Sequence, residues 1–406
     1  MTTFSKGPKV ARFMLGAGVL AGVLTSCTAA PQTVGAQLVD DRVSYLRAAP
    51  PDAVRPPPNF LPRGLVQFDQ PPTVSGDNFT SVLFPDSQRD ALSVVEVGAD
   101  GRGWQIDTNP SCLGRTSTTV DGQTLDVILD SDASLDGKTL AARTVATAFR
   151  HDGEIAWGPI EVPGPHRGPG LIFADTPKGV VSNEPVGTVM LDARSGRPVD
   201  AGLAEKALYE GNGVGVAGAL DDLTAFRTAD GVPLWDSASL ARPAGTGPDW
   251  QPTLIDAIGQ SIGNVLFFRW TDTGGRSLVA AHRLEDGADL GIVPGELSGQ
   301  SIIAARESMV YVRSKLNAGE SVVSAISPQR GLAWSVPFKG ETVLASAGDG
   351  MVYLRHNGEG AALKALDGSV ALRGAFAVPV AVLPDGTALI PTGEPYEYAL
   401  ASPQTP

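Results

Sequence analysis

The chain has 406 residues and a mass of 42.0 kDa, with 42% hydrophobic and 18% charged residues. That is long enough for a full core and too apolar for a charge-rich disordered polymer. Its 48 glycines and 32 prolines point to many turns and short strands, and its net charge of −13 argues against a general nucleic-acid binder, which needs a basic face.

Residues 1–26 hold three bases, Lys6, Lys9 and Arg12, and no acid, followed by an apolar run from Phe13 to Leu24. A basic start, a short apolar stretch and then small residues is the layout of a secretory signal, and the run is too short to span a bilayer as a helix. It ends in Leu24-Thr25-Ser26-Cys27, which resembles the lipobox of bacterial lipoproteins. That resemblance implies cleavage before Cys27 and a lipid on its thiol, holding the chain on the extracytoplasmic side of a membrane. Loss of the signal would take the net charge from −13 to −16. With Cys27 lipidated, Cys112 has no intrachain partner, and no disulfide framework is expected.

Residues 27–61 read as a Pro- and Ala-rich tether, with a short helix expected over 36–48, where Leu38, Val39, Val43 and Leu46 share one side. Pro50, Pro51, Pro56, Pro57 and Pro58 forbid regular structure beyond it. From residue 62 the pattern changes to short β-rich runs bounded by Gly, Asp, Asn and Pro. Examples are Ser93–Val97, Asp126–Leu129, Asn264–Phe268, Met309–Val312 and Met351–Leu354.

A unit repeats along this region: a strand, a tight turn with Gly, then a Trp or aliphatic residue a few positions on. Clear instances are Phe149-Arg-His-Asp-Gly-Glu-Ile-Ala-Trp157, Phe226-Arg-Thr-Ala-Asp-Gly-Val-Pro-Leu-Trp235 and Ile326-Ser-Pro-Gln-Arg-Gly-Leu-Ala-Trp334. The turn glycines are Gly101, Gly153, Gly196, Gly231, Gly287, Gly331 and Gly368, separated by 52, 43, 35, 56, 44 and 37 residues. That spacing is about one four-stranded propeller blade.

These units resemble the repeat of the pyrroloquinoline-quinone (PQQ)-like β-propellers, with Leu191-Asp-Ala-Arg-Ser-Gly196 and Phe226–Trp235 the nearest matches. The resemblance covers about 62–402 and implies an all-β propeller of four-stranded blades, eight of them, with seven as the alternative. Val380–Ile390 and Tyr396–Leu400 would supply three strands, and Gly64–Phe68 their outer strand, so that strands from both ends close the ring. Quinone-dependent relatives often carry a vicinal disulfide, which two distant cysteines cannot form, and a calcium or lanthanide site with a catalytic Asp, which no motif here assigns, so neither a quinone nor calcium is expected. Non-enzymatic relatives include lipoprotein propellers of the BamB type.

Other motifs point to chemistry only weakly. Gly259-Gln-Ser261-Ile-Gly263 matches a hydrolase elbow but enters a β run instead of a helix. Asp130-Ser-Asp132-Ala-Ser134-Leu-Asp136 is oxygen-rich but lacks the spacing of a calcium loop. His151, His166, His282 and His356 show no paired metal-ligand spacing, although His166 lies in a Gly- and Pro-rich loop of the kind that carries binding residues. Asn78-Phe79-Thr80 is a formal sequon discounted by the lipobox. The expected function is therefore a non-catalytic, membrane-anchored scaffold for an envelope protein or cell-wall component, with no nucleic-acid partner. A small-ligand sensor and a quinone-dependent sugar or alcohol oxidoreductase are the alternatives.

Overall fold

The computed structural model describes residues 35–50, 54–87, 90–109, 114–132, 143–175, 187–255, 264–305 and 309–404. Among them the chain is almost wholly antiparallel sheet, and the sole helix is the single turn Ala201–Ala204. The sheets follow one another along the chain. The first joins Thr73–Ser75, Asn78–Leu83, Leu92–Val97 and Arg102–Thr108, with Gln37–Ser44 as a fifth, outermost strand. The second spans Gly114–Val120 to Ile155–Val162, the fourth Ala207–Gly211 to Pro233–Asp236, and the fifth Gln251–Leu254 to Asp289–Val293. The sixth runs from Glu296–Ala305 to Gly331–Lys339 and the seventh from Thr342–Gly348 to Val370–Gly374. In the last sheet Ala381–Val382, Ala388–Pro391 and Glu397–Pro403 are completed by Phe60–Gln67 from the other end of the chain.

The architecture is a β-propeller of four-stranded blades. The expectation of eight such blades is corrected to its alternative of seven: among the described residues seven sheets carry four or more strands. The third place in chain order holds two, Ile172–Asp175 and Gly187–Met190, flanked by the single bridges His166↔Phe173 and Leu191↔Pro198. Proline explains the reduction. Pro163, Pro165, Pro169 and Pro198 have no N–H to offer a ladder, so the flanking segments pair at isolated points.

The helix expected over 36–48 is also corrected. Gln37–Ser44 is a strand paired with Arg102–Thr108, with register shifts between Leu38 and Asp40 and between Asp40 and Val43. Leu38 and Val39 stay exposed, so the apolar residues read as one helical side do not share a buried face. Strand pairing satisfies the backbone where no helical face was available to bury.

Most strands in the blades are buried on both faces, which is why their sequences read as continuous apolar runs. Alternate side chains enter different clusters. Val310 and Val312 pack with the fifth sheet, whereas Tyr311 between them packs with the seventh. Leu266 and Phe268 face the fourth sheet and Phe267 the sixth. Each cluster joins consecutive sheets, and one joins Phe68, Leu389 and Leu400 of the last sheet to Phe79, Val95 and Val97 of the first.

The repeated turn has a physical role. All seven turn glycines have φ between +68° and +82°, a region open to glycine but strained for other residues. Four tryptophans reach from one sheet to the next and donate an indole N–H to a backbone carbonyl beside the neighbouring turn. These are Trp104 to His151 (3.0 Å), Trp157 to Ala193 (2.8 Å), Trp235 to Leu284 (2.7 Å) and Trp334 to Ala365 (2.8 Å). The turn glycine lies against that ring: a Cβ on Gly196 would sit 2.6 Å from Trp157. Strand, Gly turn and Trp therefore form a dock between successive sheets, which is why they recur together.

Candidate functional site

In an antiparallel meander the turn between the first and second strands and the turn between the third and fourth fall at the same end of a sheet. At that end, turns from four successive sheets surround a cleft of about 280 Å³. The second sheet contributes Val120 and Asp121, the third Asp192 and Arg194. The fourth contributes Asn212, Gly213, Val214, Arg227, Thr228, Ala229 and Leu234, and the fifth Glu285.

Two of these turns are two-residue hairpins built from Asp121-Gly122 and Asn212-Gly213, with positive φ at all four residues. This is the type I′ geometry that matches strand twist and favours Asn-Gly and Asp-Gly. They aim Asp121 and Asn212 out at the cleft mouth, where Asp121 pairs with Arg194 and the Asn212 amide donates to Glu285 (3.3 Å). Arg227 is held back by Asp230 (2.7 Å).

Asp192 is buried in the cleft floor. One carboxylate oxygen accepts from the Ser195 N–H (3.0 Å) and hydroxyl (2.6 Å), and the other accepts from the Thr228 hydroxyl (2.7 Å). It thereby shapes its own turn and ties the third sheet to the fourth. Nearby is Glu210, fully buried, which accepts from the Thr118 hydroxyl (3.1 Å) and the Leu171 N–H (3.0 Å). Burial pushes Glu210 up to about 7, the bonds from Thr118, Leu171 and Gly213 oppose that rise, and the charge of Asp192 adds to it. Gly170 makes room: a Cβ there would lie 2.1 Å from the Glu210 carbonyl oxygen and 2.6 Å from its carboxyl.

A second buried carboxyl pair lies between the first and second sheets. Asp126 meets Arg115 through bonds of 2.8 and 2.6 Å and accepts from the Ser75 hydroxyl. Glu96 accepts from the Asn78 amide (2.9 Å) and lies beside Asp126. Burial, then the charge of Asp126, holds Glu96 well above the usual carboxylate range. Burial would raise Asp126 as well, but Arg115 and the bonds from Glu96 and Ser75 hold it below its ordinary value. The two carboxyls are thus driven apart, Glu96 upward and Asp126 downward.

The residues singled out from sequence lie elsewhere. Cys27, Cys112, Ser261 with Gly259 and Gly263, and Ser134 and Asp136 are outside the described residues. Asp130 accepts from the Gly35 and Asn109 N–H groups, both at 2.8 Å, and Asp132 from Arg143 N–H at 2.8 Å, so both serve local backbone. No cluster of three or more metal-ligating side chains occurs among the described residues. His166 donates from Nε2 to the Gly170 carbonyl (2.8 Å) and packs edge-on against Phe173, fixing the loop above Glu210 without lining the cleft. Burial lowers its pKa. His282 is fully buried, accepting at Nε2 from the Trp270 indole (3.1 Å), with Nδ1 3.1 Å from the Gly287 carbonyl. The Thr342 hydroxyl is 3.0 Å from Nδ1 of His356, and the Asn78 amide bonds Glu96 and the His151 carbonyl.

Sequence reading missed Asp192, Glu210 and the hairpin residues of the cleft. Asp121-Gly122 and Asn212-Gly213 were available as hairpin signals. Their meeting across two intervening segments was not, because it depends on how sheets stack.

The fold and this cleft define a β-propeller with a polar cleft on one turn-bearing face. The chain aligns with the solved structure of BamB from Moraxella catarrhalis at 14% identity, covering 84% of this chain and 99% of that one, with a TM-score of 0.41. It also aligns with the β-propeller domain of Cps50 (Swd1) from Myceliophteria thermophila, at 10% identity over 86% and 100% of the two chains with a TM-score of 0.37. AztD from Citrobacter koseri aligns at 13% identity over 77% and 87%, with a TM-score of 0.38. No protein-family description matches the sequence, and no curated protein matches it. The propeller assignment rests on the sheets and clusters described above.

Proposed function

We propose that this chain is a non-catalytic binding scaffold: a lipoprotein anchored through Cys27, with a tether within 27–61 and a propeller that engages an envelope protein or cell-wall component. In this reading the blades are built on PQQ-like repeats and the ring closes where the last sheet packs on the first. The observation that carries the binding role is the cleft formed by turns of four different sheets, which are fixed by positive-φ hairpins and by bonds within and between the turns. Preorganised loops on a stiff scaffold bind without the ordering cost that flexible segments incur. The buried carboxyls support structure: Asp192 accepts from the Ser195 and Thr228 hydroxyls and ties its turn to the fourth sheet, and Glu210 accepts from the Thr118 hydroxyl and the Leu171 N–H.

The test is in-cell crosslinking with a photoreactive residue at Asn212, in the wild type and in Cys27→Ser, with captured proteins identified by mass spectrometry. One defined set of envelope partners, reduced when the lipid site is removed, is the expected result. Capture that is equally strong from a photoreactive residue on the opposite face, at Asp222, would contradict the cleft as the binding surface.

A further inference from the structure

The cleft combines two chemistries. Its walls carry the apolar side chains of Val120, Val214 and Leu234, and its mouth and floor carry the carboxylates of Glu285 and Asp192, with Asp121 paired to Arg194. The two lining arginines are already engaged, Arg194 by Asp121 and Arg227 by Asp230. Among the described residues, Asp192 has hydrogen-bond donors but no cation among its bonded partners, and Glu210 beside it has none either. The local field is therefore negative over an apolar wall. A group with a methylene stem and a cationic head satisfies both at once, the stem along the wall and the head toward the carboxylates.

We infer that this cleft receives a lysine or arginine side chain presented by a segment of the protein partner. The inference rests on the scaffold reading and names what that scaffold recognises. It agrees with the negative charge of the whole chain, which steers basic partners toward it.

Glu210 gives the site a signature that a nonspecific acidic surface lacks. The groups facing it are the Thr118 hydroxyl, the Leu171 and Gly213 N–H groups and the Asp192 carboxylate, so a cation arriving at the cleft is a new opposite charge in its surroundings. Binding would favour the ionised form of Glu210, and by linkage ionisation would favour binding. Affinity should therefore rise with pH across the titration of Glu210.

The experiment is a methyl-NMR titration of the full chain with four probes: the Nα-acetyl methylamides of lysine, arginine, norleucine and glutamate. The lysine and arginine probes should shift the Val120, Val214 and Leu234 methyls saturably, with a Kd on the order of 1 mM. Binding should be about threefold tighter at pH 8 than at pH 6. It should weaken about tenfold in Glu285→Gln, an exposed change that leaves the remaining spectrum in place. Glu210→Gln should retain binding and lose its pH dependence. Equal shifts from norleucine, stronger binding by the glutamate probe, or no saturable shift from either cationic probe would overturn the inference. If crosslinking names a partner at this face while the cationic probes fail, the scaffold reading stands and this inference falls. If the probes bind and no partner is captured, the preference of the cleft for a cationic side chain stands, and the scaffold reading falls together with the partner segment inferred from it.

Discussion

Two junctions in this propeller bury a pair of carboxyl groups, and they resolve the problem differently. Between the first and second sheets, Glu96 and Asp126 have Arg115 against them, bonded to Asp126 at 2.6 Å, and the two are driven apart, Glu96 upward and Asp126 downward. At the third and fourth sheets, Glu210 and Asp192 have hydroxyl and N–H donors but no cation bonded to either. Glu210 is left to titrate at about 7. The first junction is closed and structural, whereas the second lies under an open cleft. A single half-buried guanidinium separates a carboxyl pair that fastens two sheets from one that responds to what arrives.

The sharpest way to break the comparison is to remove that guanidinium. Arg115→Met leaves Asp126, with a side chain only 3% exposed, as a buried charge without its cation. A loss of about 3–5 kcal/mol is expected, measured by chemical denaturation at neutral pH. A change below about 1 kcal/mol would mean that Asp126 is neutral and that the first junction resembles the second.

Glu210→Gln acts in the opposite direction. The pKa of Glu210 is raised on folding from an ordinary value of 4.5 to about 7. Below the ordinary value both states are protonated and the group contributes no pH dependence. As pH rises through that window the folded state resists ionisation and loses stability, by about 3 kcal/mol once Glu210 is fully ionised. The variant escapes this loss, so its stability relative to wild type should grow by that amount between pH 4.5 and pH 8. Denaturation curves at the two pH values check it.

The docks between sheets give smaller effects. Trp235→Phe keeps most of the ring but removes the indole donor to the Leu284 carbonyl, which is buried. A loss of about 1–3 kcal/mol is expected, seen as a lower denaturation midpoint. Gly196→Ala introduces both a strained positive φ and a Cβ against Trp157, and should cost about 1–3 kcal/mol. Arg276→Ala removes a largely exposed side chain that contacts Asp272 and lies over the Trp250 ring, and should change stability by about 1 kcal/mol or less.

Much of the fold was legible in the sequence because the inter-sheet dock needs two rare residue types at fixed spacing. Gly196 with Arg194-Ser195, and Gly231 with Trp235, mark turns that only a positive φ and a flat ring can build. The runs around Phe267 and Tyr311 were legible as strands because both of their faces are buried. The reduced third sheet was not, since Leu191–Gly196 carries the turn signal even though prolines thin the ladders beside it. The strand at Gln37–Ser44 was misread because Leu38, Val39 and Val43 fit a short helical side as well as a bulged edge strand. The cleft was hidden for a different reason. Its parts, Asp121, Asp192, Asn212 and Glu285, come from separate sheets, and each looks like an ordinary turn residue until the sheets are stacked. Glu210 gives no sequence signal, because Leu-Tyr-Glu-Gly reads as a strand ending at a turn.

The central claim is that the second junction is poised by the absence of a bonded cation and is read by one supplied from outside. The most direct measurement is a carbon-detected NMR titration of the Glu210 carboxyl between pH 4 and pH 9, with and without saturating Nα-acetyl-lysine methylamide. A midpoint at about 7 is expected, moving down when the lysine probe is bound. A midpoint in the ordinary carboxylate range, or one that the probe leaves in place, would contradict it.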